Sequence, residues 1–399
     1  MKYLVLLGDG MADLPLEMFG GKTPLETAHK PVMDSLAKKS TIGMVKTVPD
    51  NLAPGSDVAN LAVMGYDPQK YYTGRSPLEA ASMGVELKDG DITFRCNLVN
   101  LSDDEDYENK TMVDYSSDEI TTEESTQLMQ TINEKLGTEE MEFFPGISYR
   151  HLLVWHGAKG EFRLTPPHDI TDRKVTEYLP NVPVFTELMK KSYEILKNHP
   201  VNLNRIKRGL RPANSIWLWG EGSKPQLDAF SKLHNMKGSV ISAVDLVKGI
   251  GKCAGMNVVE VENVTGTIDT NFEGKAQAAV NEFKNGADYV YLHFEAPDEC
   301  GHHGDAEGKV KSIEYLDGRV LKYITEELTK AGYDYSILVM PDHPTPISIK
   351  THSRDAVPFM IYRSNDEKDV KDAVYTEKYA KTTGIEIENG YTLIDKFIG

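Results

Sequence analysis

Cysteine is scarce in this chain, three among 399 residues. Cys96, Cys253 and Cys300 lie far apart, are odd in number and form no CxxC pair. That pattern argues against a disulfide framework and fits a reducing cytoplasm. Long apolar runs are missing too: nothing approaches the ~18 residues of a transmembrane helix. The apolar stretch within Met1–Gly10 is too short for a signal peptide. Positive charge is in deficit, with 44 Lys and Arg against 61 Asp and Glu, a net of −17. Such a surface repels a phosphate backbone, and no basic patch reverses it, so neither nucleic acid nor membrane is an expected partner. An anionic small substrate would need locally gathered cations, which metal ions among the carboxylates could supply.

What is present suits a soluble globular protein: 40% hydrophobic and 26% charged residues, with 32 Gly and 20 Pro. Collagen-like, disordered and coiled-coil chains are excluded. The length allows two domains, or one core with a large insertion. Short β-branched or aromatic runs recur at Tyr3–Leu7, Leu152–Trp155, Ser215–Trp219, Ser239–Ile241, Tyr289–Phe294, Ser336–Met340 and Pro358–Tyr362. Runs this short and apolar suit strands buried on both faces. Amphipathic segments lie among them: Pro31–Lys39, Asp57–Met64, Glu123–Leu136, Val184–Lys197, Lys275–Asn285 and Val310–Ala331. The alternation predicts an α/β fold with a mostly parallel central sheet flanked by helices.

The middle of the chain breaks the pattern. Ser102–Glu124 is crowded with acidic residues, from Asp103 and Asp104 to Glu123 and Glu124, and reads as a solvated loop and helix face. From there to Arg211 the sequence is rich in Pro and basic residues. Residues 75–212 are therefore expected to form a smaller inserted α+β domain, with 1–74 and 213–399 as the core.

Three of the apolar strands run into potential metal ligands. Tyr3–Leu7 leads to Gly8-Asp9-Gly10. Tyr289–Phe294 leads to a segment containing Asp298, His302, His303 and Asp305. Ser336–Met340 leads to Asp342-His343, and His352 precedes the strand Pro358–Tyr362. In open α/β sheets the ligand crevice lies beyond the carboxyl ends of the strands, so distant residues can converge there. Oxygen and nitrogen donors without thiolates suit manganese, zinc or magnesium. Two ions about 3.5–4 Å apart clamp the attacking and leaving oxygens of an in-line displacement. Each residue also has a plainer reading: Asp9 as a turn residue, Asp298 as a helix cap, His352 as a surface histidine.

Ser56, in Pro54-Gly55-Ser56-Asp57, sits where a helical period begins. It is either an ordinary N-cap or a nucleophile at a helix end that attracts a phosphoryl group; position alone does not choose. Gly249-Ile-Gly251-Lys252 follows a helical pattern and lacks the Ser or Thr of a Walker loop, so a nucleotide cradle is not expected there.

Gly8-Asp9-Gly10-Met-Ala-Asp13, Pro54-Gly55-Ser56-Asp57-Val-Ala-Asn60, Gly65-Tyr-Asp67-Pro, Gly74-Arg75-Ser-Pro-Leu-Glu79, Phe94-Arg95-Cys-Asn97, Pro166-Pro-His168-Asp169 and Ser242-Ala-Val-Asp245-Leu-Val-Lys248 occur in this order. Together they closely resemble the archaeal-type cofactor-independent phosphoglycerate mutases of the alkaline phosphatase superfamily. The resemblance implies an alkaline-phosphatase-like core holding two divalent metal ions, manganese first, with zinc, magnesium or cobalt as alternatives, and no 2,3-bisphosphoglycerate. It implies Asp9, Ser56, Asp342 and His343 around one ion, and Asp298, His302 and His352 around the other. It further implies transient phosphorylation of Ser56, with phosphate leaving 3-phosphoglycerate and returning to the 2-hydroxyl while the inserted domain shields the glycerate from water.

A carboxylate substrate calls for bidentate cations, for which arginine is suited. Arg95 and Arg150 are the first candidates, followed by Arg75 and Arg173. His151, His168 and Asp169 are candidate contacts to hydroxyls or proton carriers, and Lys248 or Lys252 a candidate phosphate contact. The rival reading is a homoserine kinase-like phosphotransferase with the same metal site. A sulfatase is disfavoured because Ser56-Asp-Val-Ala-Asn60 lacks its Cys/Ser-x-Pro-x-Arg setting, and an open phosphatase because of the insertion.

Overall fold

A computed structural model describes residues 1–103 and 106–399; Asp104 and Glu105 of the acidic block lie outside the described residues. In chain order the first strands are β1 (Lys2–Gly8), β2 (Ser40–Val45), β3 (Ile92–Leu101), β4 (Met112–Asp114), β5 (Met141–Phe144), β6 (Arg150–Trp155) and β7 (Ser215–Ser223). The chain continues through β8 (Gly238–Ile241), β9 (Asn257–Val258), β10 (Tyr289–Phe294), β11 (Tyr335–Met340), β12 (Val357–Arg363) and β13 (Glu386–Ile387).

One compact unit comprises Met1–Tyr72 and Gln226–Gly399. Its eight-stranded sheet has the order β13-β2-β12-β11-β1-β10-β8-β9. β9, β8, β10, β1 and β11 run parallel, and β12 is antiparallel to both its neighbours. The expected α/β class and mostly parallel sheet are observed. β10 and β11 are buried along their whole length because helices such as Phe272–Lys284 and Lys322–Lys330 supply facing apolar stripes. Leu4, Leu6, Phe272, Phe283, Leu292, Ile337 and Val339 share this core. Each such side chain contributes about 1.5–3 kcal/mol by burial.

The segment expected as one helix over Val310–Ala331 is interrupted. Helix Ala306–Tyr315 passes into a π-helical turn, Leu316–Leu321, before Lys322–Lys330 resumes. That turn carries Asp317, whose carboxylate accepts the free backbone N–H groups of Val32 and Met33 at the start of helix Pro31–Ala37. The wide turn thus serves as an N-cap for another element. The rejected glycine stretch lies inside helix Asp245–Cys253. A Cβ at Gly251 would come 2.8 Å from Val240 Cγ2, so this glycine allows close packing of the helix on β8.

The second unit is Thr73–Pro225. Its sheet has the order β4-β3-β6-β5, with β7 on β3 as well, and every pairing is antiparallel. Helices Thr122–Leu136 and Pro183–Leu196 contribute to a core with Phe94, Cys96, Leu98, Phe185 and Trp217. The unit extends beyond the expected 75–212 because β7 hydrogen-bonds to β3 along Ile92–Val99; Ser215–Ser223 therefore belongs here and not to 213–399. The acidic block also needs correction. Glu124 pairs with Arg205 and Arg208, and Arg211 pairs with Asp114 at 3.2 Å and Asp118 at 3.0 Å. These acids and the basic stretch near 205–211 are each other's partners, so only part of the block is solvated.

Candidate metal centre and nucleophile

The carboxyl ends of β1, β10 and β11 lie side by side, and local chemistry shapes the segment leaving each strand. After β1, Gly10 adopts φ +59°, and a Cβ there would stand 2.5 Å from Asp298 Oδ1, so the turn requires glycine. After β10, helix Ala296–His303 places Asp298 and His302 four residues apart on one face, with His302 Nε2 3.2 Å from Asp298 Oδ2. After β11, Asp342 Oδ1 accepts the N–H groups of Gly10 and His343. Because β12 is antiparallel to β11, His352, just before it, comes to the same sheet edge.

All seven expected ligands meet. His343 Nε2 is 3.5 Å from Asp9 Oδ1, 3.4 Å from Asp342 Oδ2 and 3.1 Å from Ser56 Oγ. His352 Nε2 is 3.6 Å from Asp298 Oδ1 and 3.0 Å from His302 Nε2. Two trios have donor atoms within 4.8 Å of one another: Asp9, Asp342 and His343, and Asp298, His343 and His352. His302 adjoins the second trio, and His343 belongs to both. Ser56 is the first helical residue of Ser56–Val63, and Gly55 occupies the cap position. The plain N-cap reading therefore fails, and the hydroxyl faces His343.

The donors suit divalent cations on structural grounds. Asp9, Asp298 and Asp342 are all at least 96% buried, and no Lys or Arg forms an ion pair with them among the described residues. Asp9 Oδ1 is buried with no hydrogen-bond partner, a costly state for a carboxylate unless a cation is supplied. Burial, and then the negative charges of Asp342, Asp298 and Glu295, push the Asp9 carboxyl well above its usual range. Burial alone would raise Asp298 as well, but hydrogen bonds from His302 and His352 hold it well below. The Asp298 hydrogen bond lifts His302 to about 9, whereas burial lowers His343.

Several supporting residues escaped the sequence reading. Asn60 Nδ2 donates to Asp342 Oδ2 and to the Ser56 carbonyl, both at 2.8 Å, and Tyr291 donates to Asn60 Oδ1. Thr345 Oγ1 donates to Asp298 Oδ1, so it accepts from His343 Nδ1 at 3.3 Å. That leaves His343 Nε2 as the lone-pair nitrogen facing Ser56. His302 Nδ1 donates to the Lys350 carbonyl, which holds the ring with Nε2 toward Asp298. The fully buried pair Lys309–Asp13, 2.7 Å apart, ties the two loops together, since Lys309 Nζ also donates to the Ala12 and Thr345 carbonyls. His293 Nε2 lies 2.9 Å from Asp9 Oδ2. The signal for Tyr291 and His293 was a polar atom inside an otherwise apolar strand, and for Asn60 its place four residues after Ser56.

Residues 37–202 match the family described as 2,3-bisphosphoglycerate-independent phosphoglycerate mutase. A protein of that name from Methanosarcina barkeri is 50% identical over 398 residues, covering 99% of this chain and 98% of the relative. A Geobacter sulfurreducens protein named as a probable member is 49% identical, with 100% of each chain covered. The chain belongs to this family. Among solved structures, a Pyrococcus horikoshii protein matches with TM-score 0.82 and 29% identity over 100% of this chain and 96% of its own. The cofactor-independent phosphoglycerate mutase of Thermoplasma acidophilum shares the fold at TM-score 0.67 and 24% identity, covering 100% and 99%.

In this member of the mutase family, the second unit gathers a different set of side chains. Arg75 and Arg95 each place Nε 3.1 Å from one oxygen of Glu79. Arg95 stacks on Trp219, 4.2 Å from the ring centre, and Trp219 Nε1 donates to Asn97. Burial lowers the Arg95 pKa, and so do the charges of Arg75 and Arg150. His168 packs edge-on to Trp219 and Tyr115; burial lowers its pKa, with Arg95 and Arg75 adding to the effect. Arg150 sits over Tyr149, whereas Asp169 and Arg173 are exposed, Arg173 bonding to the Tyr178 hydroxyl.

The expectation for His151 needs correction. β6 pairs Arg150 with Asn97 and His151 with Cys96, so the pleat turns His151 to the opposite face of the sheet, toward the apolar core. Its Nδ1 accepts the Gly146 N–H, Nε2 has no partner, and burial drives its pKa down to about 3. In the first unit, Lys248 is held by Glu260 at 2.7 Å, and Lys252 is exposed one turn further along the same helix.

Proposed function

We propose that the chain interconverts 3-phosphoglycerate and 2-phosphoglycerate through a phosphorylated Ser56. The supporting observation is the Ser56 hydroxyl 3.1 Å from His343 Nε2 inside a buried Asp and His cluster, in a chain half identical to named mutases along its whole length. Asp9, Asp342, His343 and Ser56 would hold one divalent cation, and Asp298, His302 and His352 the other, with manganese the first candidate. Such ions, when bound, lower a hydroxyl's pKa and balance the charge of a transferring phosphoryl group.

The chain's own groups do the rest. Asn60 fixes the Ser56 backbone and the Asp342 carboxylate together, so that nucleophile and cation-binding groups share one frame. The Ser56 oxygen forms a bond to phosphorus as the bond to the 3-oxygen breaks. In that step Ser56 releases its hydroxyl proton and the departing 3-oxygen takes one up. In the return step the 2-hydroxyl releases a proton and bonds phosphorus as the Ser56 Oγ–P bond breaks and Oγ is reprotonated. Arg95, Arg75 and Arg150 are the proposed contacts for the substrate's anionic groups, because guanidinium forks pair with carboxylate oxygens two at a time. His168, with its lowered pKa, stays neutral near pH 7 and can accept a proton from a hydroxyl.

The test is 2-phosphoglycerate formation from 3-phosphoglycerate with manganese, coupled through enolase. Ser56→Ala is expected to lose about 10⁴-fold or more in kcat and to stop incorporating labelled phosphate. Full turnover by that variant would remove the phosphoserine step. Phosphohomoserine made from homoserine and ATP, without mutase turnover, would replace the reading with the kinase.

A further inference from the structure

β10 reads Tyr-Val-Tyr-Leu-His-Phe and is buried at every position. A histidine in such a strand must find partners for both ring nitrogens, or leave a polar atom unsatisfied in an apolar interior. His293 finds them at both ends. Its Nδ1 is 3.1 Å from Ser242 Oγ. At the other end Nε2 is 2.9 Å from Asp9 Oδ2, and because a carboxylate oxygen accepts, the ring proton resides on Nε2. Nδ1 is then the acceptor for the Ser242 hydroxyl, whose Oγ also accepts the Val244 N–H at 2.9 Å.

The backbone is equally constrained. Lys275 Nζ donates to the His293 carbonyl, β10 pairs Leu7 with His293 and Gly8 with Phe294, and the Asp9 N–H donates to the Phe294 carbonyl at 2.8 Å. Ring and carboxylate are thus mounted on adjacent, hydrogen-bonded strands. With Oδ2 engaged by His293, the plane of the Asp9 carboxylate is fixed, and its other oxygen, Oδ1, is presented without a partner 3.5 Å from His343 Nε2.

We propose that His293, oriented by Ser242, is the positioning residue of Asp9 and sets the affinity with which the Asp9–Asp342–His343 trio takes a divalent cation. The proposal rests on the reading of that cluster as a metal site. Outer partners of ligating groups typically change metal affinity 10–100-fold when removed. Unlike Thr345 or Asn60, His293 does not bond a second element of the cluster, so its loss should be read at one binding event only.

The test is calorimetric titration of manganese into the metal-free full-length protein, with the unfolding midpoint of the metal-free form measured alongside. His293→Ala is expected to weaken one of two binding events 10–100-fold and leave the other unchanged, with mutase turnover recovering at saturating manganese. His293→Gln, which retains a donor near the Nε2 position, is expected to recover most of that affinity. Ser242→Ala keeps the Nε2 donor but loses the restraint on the ring, and is expected to weaken the same event by up to tenfold; it decides the matter should His293→Ala not fold. Wild-type affinity in both His293→Ala and Ser242→Ala overturns the proposal, as does wild-type affinity in Ser242→Ala when His293→Ala is unfolded. A lowered unfolding midpoint with unmoved affinity overturns it in favour of a purely structural role. No manganese binding by the wild type overturns the metal reading, and this inference with it.

Discussion

Buried and half-buried carboxylates occur in both units, and their partners differ. In the second unit, Glu79, Asp114, Asp118 and Glu124 each face one or two arginines. In the first, Asp9, Asp298 and Asp342 face only imidazoles, hydroxyls and amides, and one Asp9 oxygen has no hydrogen-bond partner. An acid neutralised by a guanidinium is a finished structural contact. Three acids gathered out of water without such a cation support the reading of this cluster as a cation site. Conversely, Arg95 and Arg75 both reach the one carboxylate of Glu79.

A fully buried acid of the first unit that does have a cation is Asp13, paired with Lys309 with neither side chain exposed. Breaking that pair gives the largest stability effect expected of a single change in that unit. Lys309→Met leaves Asp13 buried and unpaired and should cost about 3–5 kcal/mol, read by urea denaturation. A loss below about 1 kcal/mol would show that the two loops are held by other means.

In the second unit the expected effect is on catalysis. Arg95→Lys keeps the charge but removes the planar fork and the stacking on Trp219. kcat/KM should fall roughly 10–100-fold, about 1.4–2.7 kcal/mol, with urea stability little changed. Unaltered kinetics would reduce the Arg95–Glu79 contact to a structural one, like those of Arg205 and Arg211.

The smallest effect near neutral pH concerns His151. Burial depresses its pKa to about 3, against roughly 6.5 for the unfolded chain. As pH falls below 6.5 the unfolded state takes a proton that the folded state refuses, so stability is lost from there down toward pH 3. His151→Gln keeps an acceptor for the Gly146 N–H without that titration. Its stability should decline with acid less steeply, by up to about 1.4 kcal/mol per pH unit. Equal slopes would mean that the His151 ring is protonated in the folded protein.

Much of the candidate centre was legible because parallel strands buried on both faces leave a plain trace: an apolar run ending at its first polar residue. Asp9, Asp298 and Asp342 stand at or just beyond such endings. The second unit was harder to read. β3 carries Arg95 and Asn97 on one face and Phe94, Cys96 and Leu98 on the other, so no apolar run marks the strand to which both β6 and β7 pair. β7 looks like a core strand in composition, and only its pairing with β3 places it in the smaller sheet. Arg150 and His151 are neighbours in sequence, yet the pleat sends them to opposite faces.

From its residues alone the chain determined its α/β class, its family and the identities of the donor side chains, because these depend on local pattern and on residue type. The tertiary structure decided which hydrogen bonds those donors make. The tautomer of His343, the anchoring of Asp9 by His293 and the arginines' hold on the acidic block all depend on contacts between segments far apart in the chain. Such contacts form only when the sheets close, and no periodicity in the sequence encodes them.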